Sequence, residues 1–182
     1  QLALIPRQSY IIEYKRAKYV ARDEDVPGAE VGVKIAPRPA QIIPKSILDI
    51  PPKGIINVHG SILPAYRGAA PIQWSIARGE TETGVTTMLM DVGVDMGDIL
   101  LSAATAIGPE ETSDTLHDRL AVMGADLLVK TIRGVWSGDV LPCAQDHAGA
   151  TYAPMLKKED GRIQWEQPAF SIDARIRAMT PW

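Results

Sequence analysis

The sequence lacks several features that would place it in an unusual class of protein. Its 182 residues include a single cysteine, Cys143, so no internal disulfide can form and a reducing cytoplasm is the expected compartment. Aromatic residues make up only 5% of the chain. The longest run without a charged residue is 54–66, well short of the roughly 20 apolar residues of a membrane span. These absences exclude a disulfide scaffold and a membrane-spanning helix.

Motifs of several common enzyme classes are also missing. The chain contains no G-x-G-x-x-G dinucleotide fingerprint, no Walker A loop and no G-x-S-x-G nucleophile elbow. Cys143 has no neighbours that would stabilise a thiolate, and His117 and His147 lie in a predicted helix and a loop, where we expect them to be incidental. Known nucleotide-binding and nucleophile motifs therefore do not explain the chain.

Positive charge is scarce in the middle of the chain. Residues 51–150 hold six Lys and Arg against twelve Asp and Glu, a net charge of −6, whereas the whole chain has a net charge of −3. An acidic surface repels phosphate backbones, so we do not expect this chain by itself to bind nucleic acid strongly.

Hydrophobic periodicity predicts strands and helices in alternation. The predicted strands are residues 55–58, 84–90 and 99–107, and the predicted helices are residues 44–48, 71–78, 114–136 and 169–178. Thr112 and Ser113 can cap the longest helix. This alternation is typical of α/β folds, whose sites gather outside the carboxyl ends of strands. His59 and the loop Asp91–Asp98 each follow a predicted strand, and we expect a site there.

Asn57 and His59 form the first candidate pair. Side chains alternate along a strand, so residues two apart point to the same face. An amide beside an imidazole offers two hydrogen-bond donors to a developing oxyanion, and the imidazole can also move a proton near neutral pH. The alternative is a polar pair that only ends a strand, and the spacing alone favours that alternative.

Three aspartates in a glycine-containing loop form the second candidate. Asp91, Asp95 and Asp98 offer oxygen ligands of the kind that calcium or magnesium prefers, although their spacing does not match an EF-hand. One of them could instead orient His59 and favour its charged form. A third interpretation is that all three simply form turns in solvent.

Two interpretations also remain for Tyr66 and Arg67. These residues could contact a ligand, or they could lie on a surface loop.

Longer segments resemble the formyltetrahydrofolate-dependent formyltransferase family. The segments are Asn57–Gln73 (NVHGSILPAYRGAAPIQ), Thr83–Met88 with Met90–Asp98, and Thr151–Pro154 with Lys158–Trp165. The resemblance runs from about residue 41 to residue 182 and implies a Rossmann-like α/β fold with a mainly parallel sheet flanked by helices. It also implies transfer of a formyl group from 10-formyltetrahydrofolate, without a metal, in a cytoplasm or an organellar matrix.

The resemblance further implies roles for individual residues. Asn57 and His59 would bind the formyl oxygen, and Asp95 would hold His59 charged and help to move protons. The folate pocket would be lined, partly by backbone groups, by Gln41, Ile42, Ile43, Ser61, Ile62, Leu63, Pro64, Asp91, Val92, Gly93 and Val94. The third segment resembles family members whose amine substrate is the α-amino group of methionyl initiator tRNA, in translation initiation. We expect the protein to be a monomer that binds folate and tRNA.

Residues 1–40 depart from the family pattern in two respects. Residues 1–40 do not match the family's opening strand and turn, and Arg38-Pro39-Ala40 stands where the family has A-Y-G. We expect residues 1–178 to form the catalytic domain and residues 179–182 to begin the linker to a barrel domain. The rival interpretations are a related formyltransferase or a formate-releasing hydrolase, an inactive folate-binding domain, and a cation-binding domain.

Overall fold

The elements of the chain fall into two units, residues 1–41 and 42–182. The computed structural model describes residues 10–13, 18–21, 34–35 and 43–181. In the first unit, β1 (Tyr10–Glu13), β2 (Lys18–Ala21) and β3 (Lys34–Ile35) pair antiparallel in that order. Sequence periodicity predicted none of these three strands.

The second unit contains every strand and helix that the sequence predicts. Its helices are α1 (Lys45–Leu48), α2 (Pro71–Ala77), α3 (Ser113–Ser137) and α4 (Ala169–Met179), and its strands are β4 (Ile56–His59), β5 (Glu82–Leu89) and β6 (Ile99–Ala106). Short 3₁₀ turns lie between α3 and α4, at His147–Gly149 and Lys158–Gly161. The predicted α/β pattern is therefore confirmed here.

The sheet of this unit has the order β4-β5-β6, and both pairs are antiparallel. The sequence led us to expect mainly parallel pairing, and no parallel strand pair occurs among the strands described. Parallel neighbours need a crossover of about a dozen residues or more, usually helical. The 90–98 loop between β5 and β6 contains no helix, and β5 enters the sheet from the edge where β4 ends, since His59 lies opposite Thr86.

The core lies between this sheet and α3. Strand β5 is buried from Thr83 to Met88 on both of its faces, as expected for the central strand. Leu116, Leu120 and Leu127 of α3 pack in one cluster with Val85. The helix begins at Thr112, whose side chain accepts a hydrogen bond from the Thr115 backbone, and ends at Gly138 in the left-handed conformation. A rigid platform therefore supports the strand end at His59.

Arg119 of α3 forms an ion pair with Glu111, just before the helix, and a hydrogen bond to the end of β6. Arg119 donates from Nε and Nη2 to the two carboxylate oxygens of Glu111, at 2.9 and 2.8 Å, and also to the carbonyl of Ala106 at 2.7 Å. The Gly108 N–H donates to the same carboxylate at 3.0 Å. The hydrogen bonds from Arg119 lower the pKa of Glu111 below its usual value.

We expect Glu111→Gln to lower the free energy of unfolding by about 1–2 kcal/mol at pH 7. The loss is modest because the Arg119 side chain is 38% exposed and water screens the pair. Since the Glu111 pKa is lower in the folded state, this stabilisation is present above the unfolded pKa and is lost as pH falls through the folded pKa. Urea denaturation should show the free energies of unfolding of the wild type and Glu111→Gln converging as the pH falls from 7 to 3. The control is Glu110→Gln, which changes an exposed residue. An unchanged difference at pH 3 would contradict the ion-pair explanation.

Among the described residues, no helix combines the length and the apolar character that crossing a membrane requires.

Candidate active site

His59 occupies the last position of β4, with 5% of its surface exposed. Its Nε2 atom lies 2.8 Å from the backbone carbonyl of Tyr66. A carbonyl oxygen can only accept, so Nε2 carries a proton and donates. The other ring nitrogen, Nδ1, lies 3.7 Å from Oδ2 of Asp95, beyond hydrogen-bond distance. Nδ1 is therefore the nitrogen that can turn toward a bound group.

Asn57 lies two residues earlier on the same strand and pairs in register with Met88. Alternation along the strand places its side chain on the face of His59, as the sequence predicts. Asn57 is half-buried, so the protein shields this residue only in part from solvent.

Asp95 reaches His59 only because the loop after β5 folds back. Ile56 lies opposite Leu89, so β5 ends about 10 Å from His59, three residues along β4. The loop returns along the strand, and the Leu89 N–H donates to the carbonyl of Asp98 at 2.9 Å. Gly97 has no room for a side chain, because a Cβ there would lie 1.9 Å from the Leu89 carbonyl oxygen. Close backbone packing thus brings Asp95 to His59.

The conformation of Asp95 is unusual and is held by its neighbours. Its φ is 51°, in the left-handed region that few residues other than glycine adopt. The Gly68 N–H donates to Asp95 Oδ2 at 2.8 Å. Gly68 itself has φ +114° and packs so closely that a Cβ would lie 2.6 Å from the Ala153 carbonyl oxygen. One carboxylate oxygen of Asp95 therefore has a partner, and the carboxylate stays beside the imidazole.

The segment after His59 is attached to the central strand by one hydroxyl. Thr86, which is completely buried, donates to the Ser61 carbonyl at 2.7 Å and accepts from the Leu63 N–H at 3.2 Å. The Ser61 hydroxyl donates to the Ala65 carbonyl at 2.6 Å. Ser61 and Leu63 are buried, while Ile62 and Pro64 are half-buried. Backbone groups of this segment are thereby fixed in place near His59.

The other residues predicted to bind folate lie in different surroundings. Asp91 and Gly93 are half-buried and close a turn, in which the Gly93 N–H donates to Asp91 Oδ1 at 2.9 Å. Val92 and Val94 are exposed, at 57% and 37%. Ile43 is half-buried at the start of the second unit, whereas Gln41 and Ile42 lie outside the described residues.

The three aspartates do not come together as a cation site. Asp91 bonds to its own turn, Asp95 faces Gly68 and His59, and Asp98 is exposed. Within the described part of the chain, no three His, Cys, Asp or Glu side chains are grouped as metal ligands. The cation interpretation thus gains no support from these residues.

Tyr66 and Arg67 are buried, at 8% exposed each, so the surface-loop alternative for them is wrong. Burial, and then the hydrogen bond that the Tyr66 hydroxyl donates to Glu80, raise the pKa of Tyr66 to about 12. The Arg78 guanidinium lies 5.0 Å from the centre of the Tyr66 ring. Tyr66 has φ 60° and its N–H donates to the Thr151 hydroxyl at 2.8 Å. These contacts hold the Tyr66 carbonyl, which accepts the hydrogen bond from His59 Nε2–H.

Gln145 contacts the residues around His59 and Asp95, although it was not among the residues predicted from the sequence. Its side chain bonds to Arg67 and to the backbone of the Asp95 loop. Gln145 follows Arg67 by 78 positions and Asp95 by 50. No spacing or periodicity in the sequence points to it.

Two surface grooves lie away from His59 and the residues around it. They measure about 570 and 230 Å³ and meet around Gly108 and Pro109, beside Glu111 and Arg177. Neither includes His59, Asn57 or Asp95. We place the candidate site at His59 because its imidazole lies 3.7 Å from the Asp95 carboxylate and Asn57 stands two residues earlier on the same strand.

Two curated proteins are similar to most of this chain. Methionyl-tRNA formyltransferase of Solibacter usitatus (strain Ellin6076) is 61% identical over 142 residues, which are 78% of this chain and 46% of that protein. The enzyme of the same name from Trichlorobacter lovleyi is 54% identical over 142 residues. The chain therefore spans about half the length of the curated relatives that it matches.

Solved structures share the fold. The N-formyltransferase of Helicobacter canadensis, in complex with folinic acid and dTDP-3-aminofucose, has a TM-score of 0.64 and 26% identity over 68% of this chain and 46% of that chain. HypX of Aquifex aeolicus, in complex with tetrahydrofolic acid, has a TM-score of 0.61 at 17% identity over 69% of this chain and 22% of that chain, and shows the fold alone.

The family models match the chain in two places. The Formyl transferase model matches residues 9–132, and the model described as Formyl transferase, C-terminal domain, matches residues 155–182. The first match begins at residue 9, within the segment that lacks the family's opening strand and turn, and it includes Asn57, His59 and Asp95. Since it spans more than half of the sequence, the chain belongs to the formyl transferase family.

Proposed function

We propose that this chain carries the catalytic centre of an enzyme that formylates methionyl initiator tRNA, with 10-formyltetrahydrofolate as the formyl donor. The observation that carries the proposal is the 3.7 Å approach of Asp95 to His59 at the end of β4, with Asn57 two residues earlier on that strand. All three lie within a segment 61% identical to a methionyl-tRNA formyltransferase. These residues supply the donors and the base that formyl transfer between two nitrogens requires.

The reaction moves one formyl group and one proton. The neutral α-amino nitrogen of methionine attacks the formyl carbon on N10 of the folate, and the carbonyl electrons move to oxygen. The bond between that carbon and N10 then breaks, the amine loses a proton and N10 gains one. In this proposal the Asn57 amide and the Nδ1–H of protonated His59 donate to the oxyanion, a type of contact whose loss costs about 10²–10³ in rate.

The surroundings of His59 support its role as a cationic donor. Its Nε2–H already has the Tyr66 carbonyl as acceptor, and the Asp95 carboxylate lies 3.7 Å from Nδ1. A doubly protonated ring therefore keeps a partner for Nε2–H and a nearby negative charge, while Nδ1–H turns to the substrate. In this proposal Asp95 would also accept the amine proton and pass it to N10.

The proposed folate pocket uses the fixed backbone next to His59. Among the described residues it would comprise Ile43, Ser61, Ile62, Leu63, Pro64, Asp91, Val92, Gly93 and Val94. The family resemblance adds Gln41 and Ile42, which lie outside the described residues. The side chains of Ser61 and Leu63 are buried in the protein, so these two residues would contribute backbone groups. Asp91 and Gly93 would present the turn that their own hydrogen bond closes.

We further propose residues 1–178 as the catalytic domain, with the linker to a following domain at residues 179–182. Packing of Ala178 with Leu116 and Ile76 supports the inclusion of α4 in this domain. We propose a monomer that works in a bacterial cytoplasm or an organellar matrix. The net charge of −6 between residues 51 and 150 favours tRNA contacts elsewhere in the protein.

The test supplies 10-formyltetrahydrofolate together with one acceptor at a time. The acceptors are methionyl initiator tRNA, a dTDP-amino sugar and water, and the products are formyl-methionine, formyl-sugar and free formate. We expect formyl transfer to methionyl-tRNA to exceed the other two rates by orders of magnitude. A faster reaction with the amino sugar or with water would assign the chain to a related transferase or to a hydrolase. Folate binding with no turnover in any arm would indicate an inactive domain.

A further inference from the structure

Gln145 links a buried arginine to the loop that carries Asp95. Its Oε1 accepts from Nε and Nη2 of Arg67, at 3.0 and 2.6 Å. Its Nε2 donates to the backbone carbonyls of Asp95 and Gly97, at 2.9 and 2.7 Å. Gln145 is 6% exposed and Arg67 is 8% exposed, so these bonds lie out of bulk water.

We propose that Arg67 and Gln145 form a positioning pair, which holds the backbone of Asp95 so that its carboxylate stays beside Nδ1 of His59. The inference rests on the proposed formyl transfer, because it assigns the pair a purpose in that reaction. Neither residue contacts the reacting atoms in this proposal; both act through Asp95.

Hydrogen-bond chemistry determines the orientation of the Gln145 amide. Arg67 has only donors, so the atom facing it must be the amide oxygen. The carbonyls of Asp95 and Gly97 have only acceptors, so the atom facing them must be the amide nitrogen. Glutamate would satisfy Arg67 but would oppose both carbonyls, and methionine would satisfy neither side. The position therefore requires a group that accepts on one side and donates on the other.

The position of Arg67 in the chain explains why holding its side chain matters. The residue before it, Tyr66, supplies the carbonyl that accepts from His59, and the residue after it, Gly68, supplies the N–H that donates to Asp95. Three consecutive residues thus contact His59, Gln145 and Asp95. A shift of Arg67 would move both members of the His59–Asp95 pair.

The Asp95 loop needs such support because its conformation is unfavourable by itself. The φ of 51° at Asp95 is rare for a residue with a side chain. With Nδ1 and Oδ2 already 3.7 Å apart, a small rotation of the Asp95 peptide would separate them further. The two bonds from Gln145 fix that peptide and the one at Gly97.

The experiment compares Gln145→Glu with His147→Ala in the protein that carries this chain. The Gln145→Glu variant keeps an acceptor for Arg67 and removes the two donations to the loop. His147 is an exposed residue whose Nδ1 accepts from the same guanidinium, at 3.0 Å, and it makes no described contact with the Asp95 loop. We expect Gln145→Glu to lower kcat roughly ten- to a hundredfold, as a small misplacement does, with KM for both substrates unchanged. We expect His147→Ala to keep the kcat of the wild type.

A second measurement does not depend on turnover. The Gly68 N–H donates to the Asp95 carboxylate, so the NMR signal of its amide proton should lie downfield in the wild type. In Gln145→Glu this signal should move toward the random-coil position. In His147→Ala it should not move. If Gln145→Glu fails to fold, Arg67→Lys is measured instead, since it keeps the charge and loses the paired donation to Gln145.

The outcomes separate this inference from the proposed function. A folded Gln145→Glu protein with the kcat of the wild type, or with an unmoved Gly68 signal, would overturn the positioning role. An equal fall in kcat in His147→Ala would also overturn it, because that variant keeps both donations from Gln145 to the Asp95 loop. If the wild type transfers no formyl group and the Gly68 signal still moves, the proposed function fails while Gln145 is shown to hold Asp95.

Discussion

His59→Ala is expected to lower the rate of formyl transfer by at least about 10²–10³-fold, because it removes one oxyanion donor together with the group that Asp95 faces. The loss should appear in kcat, since the donor acts on charge that develops only in the transition state. Binding of folate should change little, because the proposed pocket is formed by backbone groups and by other side chains.

Single-turnover assays with saturating folate measure this effect directly. His117→Ala is the matched control: it removes a histidine whose side chain is 51% exposed on α3 and should leave the rate unchanged. His59→Gln tests the role of the ring, since its amide can still donate to the Tyr66 carbonyl but cannot carry a positive charge. Retention of more than a tenth of the wild-type rate in His59→Ala would place the chemistry elsewhere.

Leu116→Ala is expected to have the largest effect on stability, lowering the free energy of unfolding by about 2–5 kcal/mol. Leu116 is fully buried on α3, in the cluster that also contains Val85, Leu120 and Ile76. Truncation removes apolar surface from the core and leaves a cavity that the helix and sheet fill only in part. Because β5 anchors the segment after His59 through Thr86, weakened packing should also reduce activity near the unfolding midpoint.

Urea denaturation followed by circular dichroism measures the change. The matched control is Val122→Ala on the same helix, whose side chain is 65% exposed and whose loss should alter stability by no more than about 0.5 kcal/mol. Equal losses in the two variants would mean that the α3 face assigned to the core does not carry the packing.

The helices and strands of the second unit were predictable because their signals are local. The capping residue Thr112 and the terminal Gly138 bound α3, and both lie next to the positions that they control. The pair Asn57 and His59 was found for the same reason, since alternation along a strand needs only two adjacent steps of the chain. The direction of strand pairing was not a local signal. It depends on how the 60–81 connection returns the chain to β4 and on how the 90–98 loop turns between β5 and β6.

The candidate site was predictable only in part. Spacing alone left Asp95 as one of three equal candidates, and only the family resemblance singled it out. In the structure its Oδ2 lies 3.7 Å from Nδ1 of His59. Tyr66 and Arg67 could have lain on a surface loop until contacts from residues 145–153 buried them.

By itself the sequence determined the elements of the second unit, the Asn57–His59 pair and the resemblance to formyltransferases, because each depends on residues that are close along the chain. Only the folded structure shows how far Asp95 lies from His59 and which nitrogen of the His59 ring already has a carbonyl partner. It also brings Gln145 against Arg67 and the Asp95 carbonyl. These contacts join positions up to 78 residues apart. Such contacts depend on how loops fold back on the sheet, and hydrophobic periodicity carries no information about that.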